Sequence, residues 1–257
     1  MLSIIKSLIQ NKAVLSSSDL ERAKGDRVYR IAAEKTISHL TRFNPKENPF
    51  SKALKIYYSQ GRQQARNFLL DYYLENQPRN MAEVLGIHRE PLTTLHSMAT
   101  ILPWSFKSAT EKFARVAHDV DAKRAISKEA VHLGLNPDRD FGWQFFGPVS
   151  NDLLDAELDR LIGVFESIRS HGYKPKKFGH IHGYALISES DWRIVNLGGK
   201  HRYASLLALE YEEIEIELRS KAAPHIIRRS EAERWHQVEN GFFTVEEALM
   251  IFDSHFH

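Results

Sequence analysis

The segment Trp192-Arg193-Ile194-Val195-Asn196-Leu197-Gly198-Gly199-Lys200-His201-Arg202-Tyr203-Ala204-Ser205-Leu206-Leu207-Ala208-Leu209 constrains this chain more than any other stretch. Its first half reads as a strand, two glycines follow, and the remainder reads as a helix. That helix opens with Lys200, His201 and Arg202. A helix N-terminus already carries partial positive charge and unpaired N–H groups. Three cationic or potentially cationic side chains placed there are unfavourable unless an anion sits among them. The glycines let the backbone come close to such an anion, and phosphate is the obvious candidate.

The surrounding pattern predicts an α+β protein. Residues 1–140 read as an all-helical region. Val28, Ile31 and Ala32 mark one apolar face. Leu54, Tyr57, Tyr58, Ala65, Phe68, Leu69 and Tyr72 mark others, as do Phe113, Val116, Ala117 and Val120. Asn80 is placed to cap a short helix that Gly86 ends. Loops fall at 44–49, 77–80 and 134–140. Residues 1–10 form an amphipathic stretch, expected to pack as a first helix on the body.

From residue 141 the texture changes. An aromatic, glycine-rich stretch, Phe141 to Pro148, leads into a strong helix over about 151–170, capped by Ser150 and ended by His171 and Gly172. Residues 178–188 then alternate as a strand, with His180, His182, Tyr184 and Leu186 at every second position. Ile214, Ile216 and Leu218 alternate with Glu213, Glu215 and Glu217, as in a strand with one wet face. The tail from 230 onward is helical again, with Thr244 as N-cap. The expected division is therefore a helical region, 1–140, and a small mixed-sheet core with a helical tail, 141–257.

Composition sets limits on chemistry. The chain has 257 residues and no cysteine, which removes disulfides, thiolate metal sites and cysteine nucleophiles. A cysteine-free chain with no apolar run long enough to span a bilayer is expected to be cytoplasmic, with no integral membrane segment. The formal net charge is only +2, so nothing general favours nucleic acid as a partner. Anion binding must come from local arrangement.

The string Gly199-Lys200-His201-Arg202-Tyr203-Ala204, between a strand and a helix, resembles the signature turn of the ParB/sulfiredoxin-like superfamily. That superfamily includes partition proteins, sulfiredoxins and free-serine kinases, and the resemblance covers roughly residues 145–225. In its members a Gly-x-x-Arg turn caps a helix and holds nucleotide phosphates. Lys200 stands where sulfiredoxins keep their reactive cysteine, so sulfiredoxin chemistry is excluded. No helix-turn-helix follows the core as it does in partition proteins, and Gly198 replaces the acid that precedes the turn in the kinases.

The resemblance implies a ParB/sulfiredoxin-like core that binds ATP, or another nucleoside triphosphate, with Mg²⁺. The implied activity is phosphoryl transfer to a small hydroxylated acceptor such as a sugar or an amino-acid derivative. Gly198, Gly199, Lys200, His201 and Arg202 are then the phosphate-binding residues. His182, Glu189 and His201 are the candidate catalytic groups, with His182 or Glu189 as base. His180, Tyr184, Arg228 and Arg229 are the candidate pocket residues. His180, His182 and His201 would make a metal site only if the fold converged them. Three alternatives stay open on sequence alone: a non-catalytic CTP- or ATP-dependent switch, a ParB-like DNA-binding protein, and a helical interaction protein carrying a degenerate core.

Overall fold

A computed structural model of the chain describes residues 12–13, 20, 27–40, 43–126, 145–219, 221 and 223–256. The amphipathic stretch 1–10, the loop expected at 134–140 and the aromatic residues 141–144 lie outside them. Among the described residues, seven strands form one mixed sheet: β1 (Lys12–Ala13), β2 (Arg27–Ala32), β3 (Thr36–Ser38), β4 (Ile181–Ile187), β5 (Trp192–Gly198), β6 (Glu213–Leu218) and β7 (Ile226–Arg228). Their order is β1-β2-β6-β4-β5-β3, and β7 pairs with β4 beyond the end of β6. β2 runs antiparallel to β6, and β3 runs parallel to β5.

This sheet corrects one expectation. The region before residue 140 is not all-helical, because β2 and β3 come from it. Val28, Ile31 and Ala32 sit at spacings that a helix also produces. What decides is the alternation of Tyr29 and Ile31, both 2 % exposed, with the outward Arg30. β-branched and aromatic residues favour that pleated surface. The helices expected further on are present: α1 (Pro49–Gln60), α2 (Arg62–Glu75), α3 (Met81–Leu85) and α4 (Ala109–Ile126). Asn80 caps α3 by accepting from the Glu83 amide, and Gly86 closes it in the left-handed region.

The C-terminal half supplies α5 (Asn151–His171), α6 (Pro175–Phe178), α7 (Lys200–Ala208), α8 (His236–Glu239) and α9 (Val245–Asp253). Ser150 caps α5, and Gly172 ends it. Thr244 and Glu247 form a reciprocal capping box on α9.

Helices cover both faces of the sheet. On one face Ile181, Ala185, Ile194, Ile214 and Ile216 bury against Ile168 of α5 and against Tyr203, Leu206 and Leu207 of α7. On the other, Tyr184, Leu186 and Val195 pack on α3, on Trp104 and on the C-terminal residues Trp235, Phe243, Ile251 and Phe252. α1 and α2 form an outer layer on α5. A ladder of charge fixes α2 to α5. Arg62 and Arg66 both reach the Asp155 carboxylate, and Arg62 also reaches Asp159. No helix among the described residues is long and apolar enough to cross a membrane.

Candidate functional site

The glycine turn is built by a break in strand pairing. β4 and β5 pair antiparallel from Ile187 and Trp192 back toward the turn, and their register shifts between His182 and Gly183. Gly183 is where the backbones touch: a Cβ there would lie 2.0 Å from the Val195 carbonyl oxygen. The bulge re-aims the last residues of β5. Gly199 then turns the chain into α7 with φ 79° and ψ 30°, a conformation that costs side-chain-bearing residues free energy. With no side chain at that position, nothing from Gly199 caps the first turn of α7. The first helical bond runs from the Tyr203 amide to the Gly199 carbonyl.

A cavity of about 810 Å³ opens beside this turn. Its walls are one face of α5, the connection 172–178 and residues 197–202, and Phe50, Leu69 and Tyr73 also border it. Among the described residues, five Lys and Arg residues border it (Arg160, Lys174, Lys177, Lys200 and Arg202), with His171 and His201, against a single carboxylate, Glu157. A cavity of this volume is the size of those that hold cofactor-sized ligands. Its charge favours an anion.

The five turn residues named from sequence all line this cavity, though their side chains do different work. Arg202 turns back along the wall. It donates through Nη1 to the Phe178 carbonyl and through Nη2 to the His180 carbonyl at 3.2 Å. Its Nε is buried with no hydrogen-bond partner among the described residues. So Arg202 binds the loop after α6, where phosphate binding was expected. The Lys200 ammonium lies over the Phe145 ring, 3.3 Å from its centroid. His201 Nε2 stands 3.2 Å from Glu157 Oε2, an oxygen shielded from solvent and not engaged in an aligned hydrogen bond.

The other predicted residues are elsewhere. The His182 ring packs behind the turn: a Cβ on Gly198 would lie 2.1 Å from it. Burial, with Arg219 nearby, holds the His182 imidazole below its ordinary range. Glu189 is exposed at the tip of the β4–β5 hairpin, at the far end of both strands from Gly198. It is therefore no base for chemistry at the turn. Tyr184 is buried on the opposite face of the sheet, edge-on to Trp104 and His39. Arg228 lies beside Glu231, and Arg229 pairs with Asp253, both at the hairpin end of β4. Neither arginine reaches the cavity. His180 stands 3.6 Å from Glu215, so the three histidines do not converge. No group of three or more potential metal ligands forms among the described residues.

Glu157 is the residue that the sequence reading missed. It reads as a solvated acid on an amphipathic helix. Its flanks carry the signal: Leu154, Leu158 and Leu161 surround it at helical spacing and are all buried. A carboxylate on that stripe faces the interior. It also helps push the buried Tyr73 hydroxyl well above its ordinary range, after the larger effects of burial and of Tyr72.

No family model, no curated protein and no solved structure matches this chain.

Proposed function

We propose that the cavity binds a nucleoside triphosphate at the 198–202 turn and that the protein transfers its terminal phosphoryl group to a hydroxyl. One observation carries the reading: a cavity of about 810 Å³ walled in part by the glycine turn, where, among the described residues, five Lys and Arg residues stand against one carboxylate. Strand, glycine turn and helix follow one another here as the ParB/sulfiredoxin resemblance implies. Phosphoryl transfer depends on positioning and on neutralising phosphate charge, which such a wall supplies. Mg²⁺ fits this site only partly. Glu157, the one carboxylate at the cavity among the described residues, serves the acceptor proton, so the Mg²⁺ ligands would be phosphate oxygens and water.

The chain's own residues take these roles. The first-turn amides of α7 face the phosphates, and Lys200, whose ammonium rests on the Phe145 ring, adds positive charge behind them. Arg202 keeps the neighbouring loop in place. Glu157, beside His201, takes the proton of the acceptor hydroxyl. The acceptor oxygen bonds to phosphorus as the bridging P–O bond to the leaving diphosphate breaks.

Thermal shifts with ATP, ADP, CTP and GTP, with and without Mg²⁺, test the binding. A ligand at a hundred times its dissociation constant adds about 2.7 kcal/mol of stability. Glu157→Gln should keep that shift and lose transfer to acceptors. Absence of a shift with every nucleotide rejects the reading.

A further inference from the structure

Among the described residues the large apolar side chains left open to water are Tyr58, Leu74, Phe106, Phe178, Tyr211 and Met250. Of these, Phe178 alone borders the cavity, and it is 58 % exposed. A lone exposed apolar side chain is ordinary on a protein surface. This one differs in how its backbone is fastened. The Phe178 amide donates to the Lys174 carbonyl at 3.1 Å. Arg202, from the turn itself, donates to the carbonyls of Phe178 and His180, on either side of Gly179. Gly179 has φ 85°, a conformation that suits glycine. A charged side chain of the turn thus anchors the backbone that presents an open ring at the cavity's edge.

His201 and Arg202 are neighbours in α7, so their side chains leave the helix about 100° apart. His201 meets Glu157 of α5, and Arg202 meets the backbone at Phe178. The turn therefore has two flanks, one with the carboxylate and one with the ring. A nucleotide whose terminal phosphate reacts at Glu157 carries its base at its other end, toward Phe178. On that flank the Lys177 ammonium lies 5.1 Å from the Phe178 centroid, within cation–π range. Groups that read base edges are scarce. Among the described residues no Asn, Gln or Asp borders the cavity, and its one carboxylate is on the opposite flank. Stacking needs no such groups, since every base has a π-face.

We infer that Phe178 is the platform on which the base of the bound nucleotide stacks, with the phosphates crossing the 198–202 turn toward Glu157. This rests on the nucleotide reading of the same site. Recognition through a π-face ranks bases by ring area, so purines bind more tightly than pyrimidines, and ATP and GTP bind alike. Arg202 then serves the base as a positioning residue, by holding the loop that carries the ring.

Calorimetry on the full chain, with ATP, GTP, CTP and inorganic tripolyphosphate as the baseless probe, all with Mg²⁺, tests this. Phe178→Ala removes an exposed ring and keeps the carbonyl that Arg202 uses, so its melting point should match the parent's. It should weaken ATP and GTP about tenfold, CTP less, and leave tripolyphosphate unchanged. Phe178→Trp should restore ATP affinity, and Phe178→Leu, apolar but not aromatic, should not. If Phe178→Ala binds ATP as the parent does, the inference falls. If it weakens ATP and tripolyphosphate equally, the ring only shapes the loop, and the inference falls again. A parent that prefers CTP to ATP reads a base edge, which also overturns it. In all three cases phosphate binding at the turn stands. If neither a nucleotide nor tripolyphosphate binds, the nucleotide reading itself is wrong, and the stacking platform goes with it.

Discussion

Replacing Arg202 separates two roles that the turn motif merges. Its guanidinium donates to two backbone carbonyls, those of Phe178 and His180, twenty-four and twenty-two residues earlier in the chain. Hydrogen bonds from a charged donor contribute about 1.5–3 kcal/mol each. The Phe178 end is open to solvent, and the freed carbonyls there can turn to water, so the lower part of the range applies. Arg202→Ala should cost about 3 kcal/mol in all. For a chain of this size that lowers the melting temperature by roughly 6–10 °C. Arg202→Lys, with one ammonium to reach two divergent carbonyls, should fall between. The assay is differential scanning calorimetry of each variant with and without nucleotide. The alanine variant should melt early yet still gain from nucleotide over its own lower baseline, since the amides of α7 and Lys200 remain. If Arg202→Ala melts like the parent while its nucleotide shift disappears, Arg202 is a direct phosphate ligand and the loop-holding role is wrong.

Two further outcomes follow from other sites. Gly183→Ala places a methyl group 2.0 Å from the rigid Val195 carbonyl oxygen, so it should cost about 3 kcal/mol or more, read as a large fall in melting point; a normal melting point refutes the close approach at the bulge. His39 is held well below its ordinary pKa by burial, and then by Lys112, Lys200 and His255. As pH falls below about 6.5 the unfolded chain takes up a proton that the folded one refuses, so stability is lost by up to about 2 kcal/mol at pH 5. His39→Gln should shrink the difference between urea midpoints at pH 7 and pH 5, and an unchanged difference shows that His39 is not the group responsible.

The parts of this structure that sequence made legible are those fixed by neighbours in the chain. Ser150, Asn80 and Thr244 each cap a helix because the amide they satisfy lies three residues on. The glycine turn was legible for the same reason, since β5, Gly198, Gly199 and α7 are consecutive. What failed depends on distant partners. β2 pairs with β6 across more than 180 residues, and nothing local to Val28 or Ile31 announces it. Hairpin direction was the other gap. Glu189, Arg228 and Arg229 looked close to the turn in sequence. An antiparallel pair, however, carries its tip away from its open end, and they stand at the tip end. Glu157 lies more than 40 residues before the motif and faces it only because α5 packs on α7.

The interleaving of β2 and β3 with the later strands bears on how the protein can be handled. A fragment beginning near residue 141 would keep the glycine turn and lose the strands that line β6 and β5. Both margins of the remaining four strands would then offer bare N–H and C=O rows to any passing chain, which invites aggregation. Minimal expression products should therefore fail at the bench even when they hold every residue of the motif.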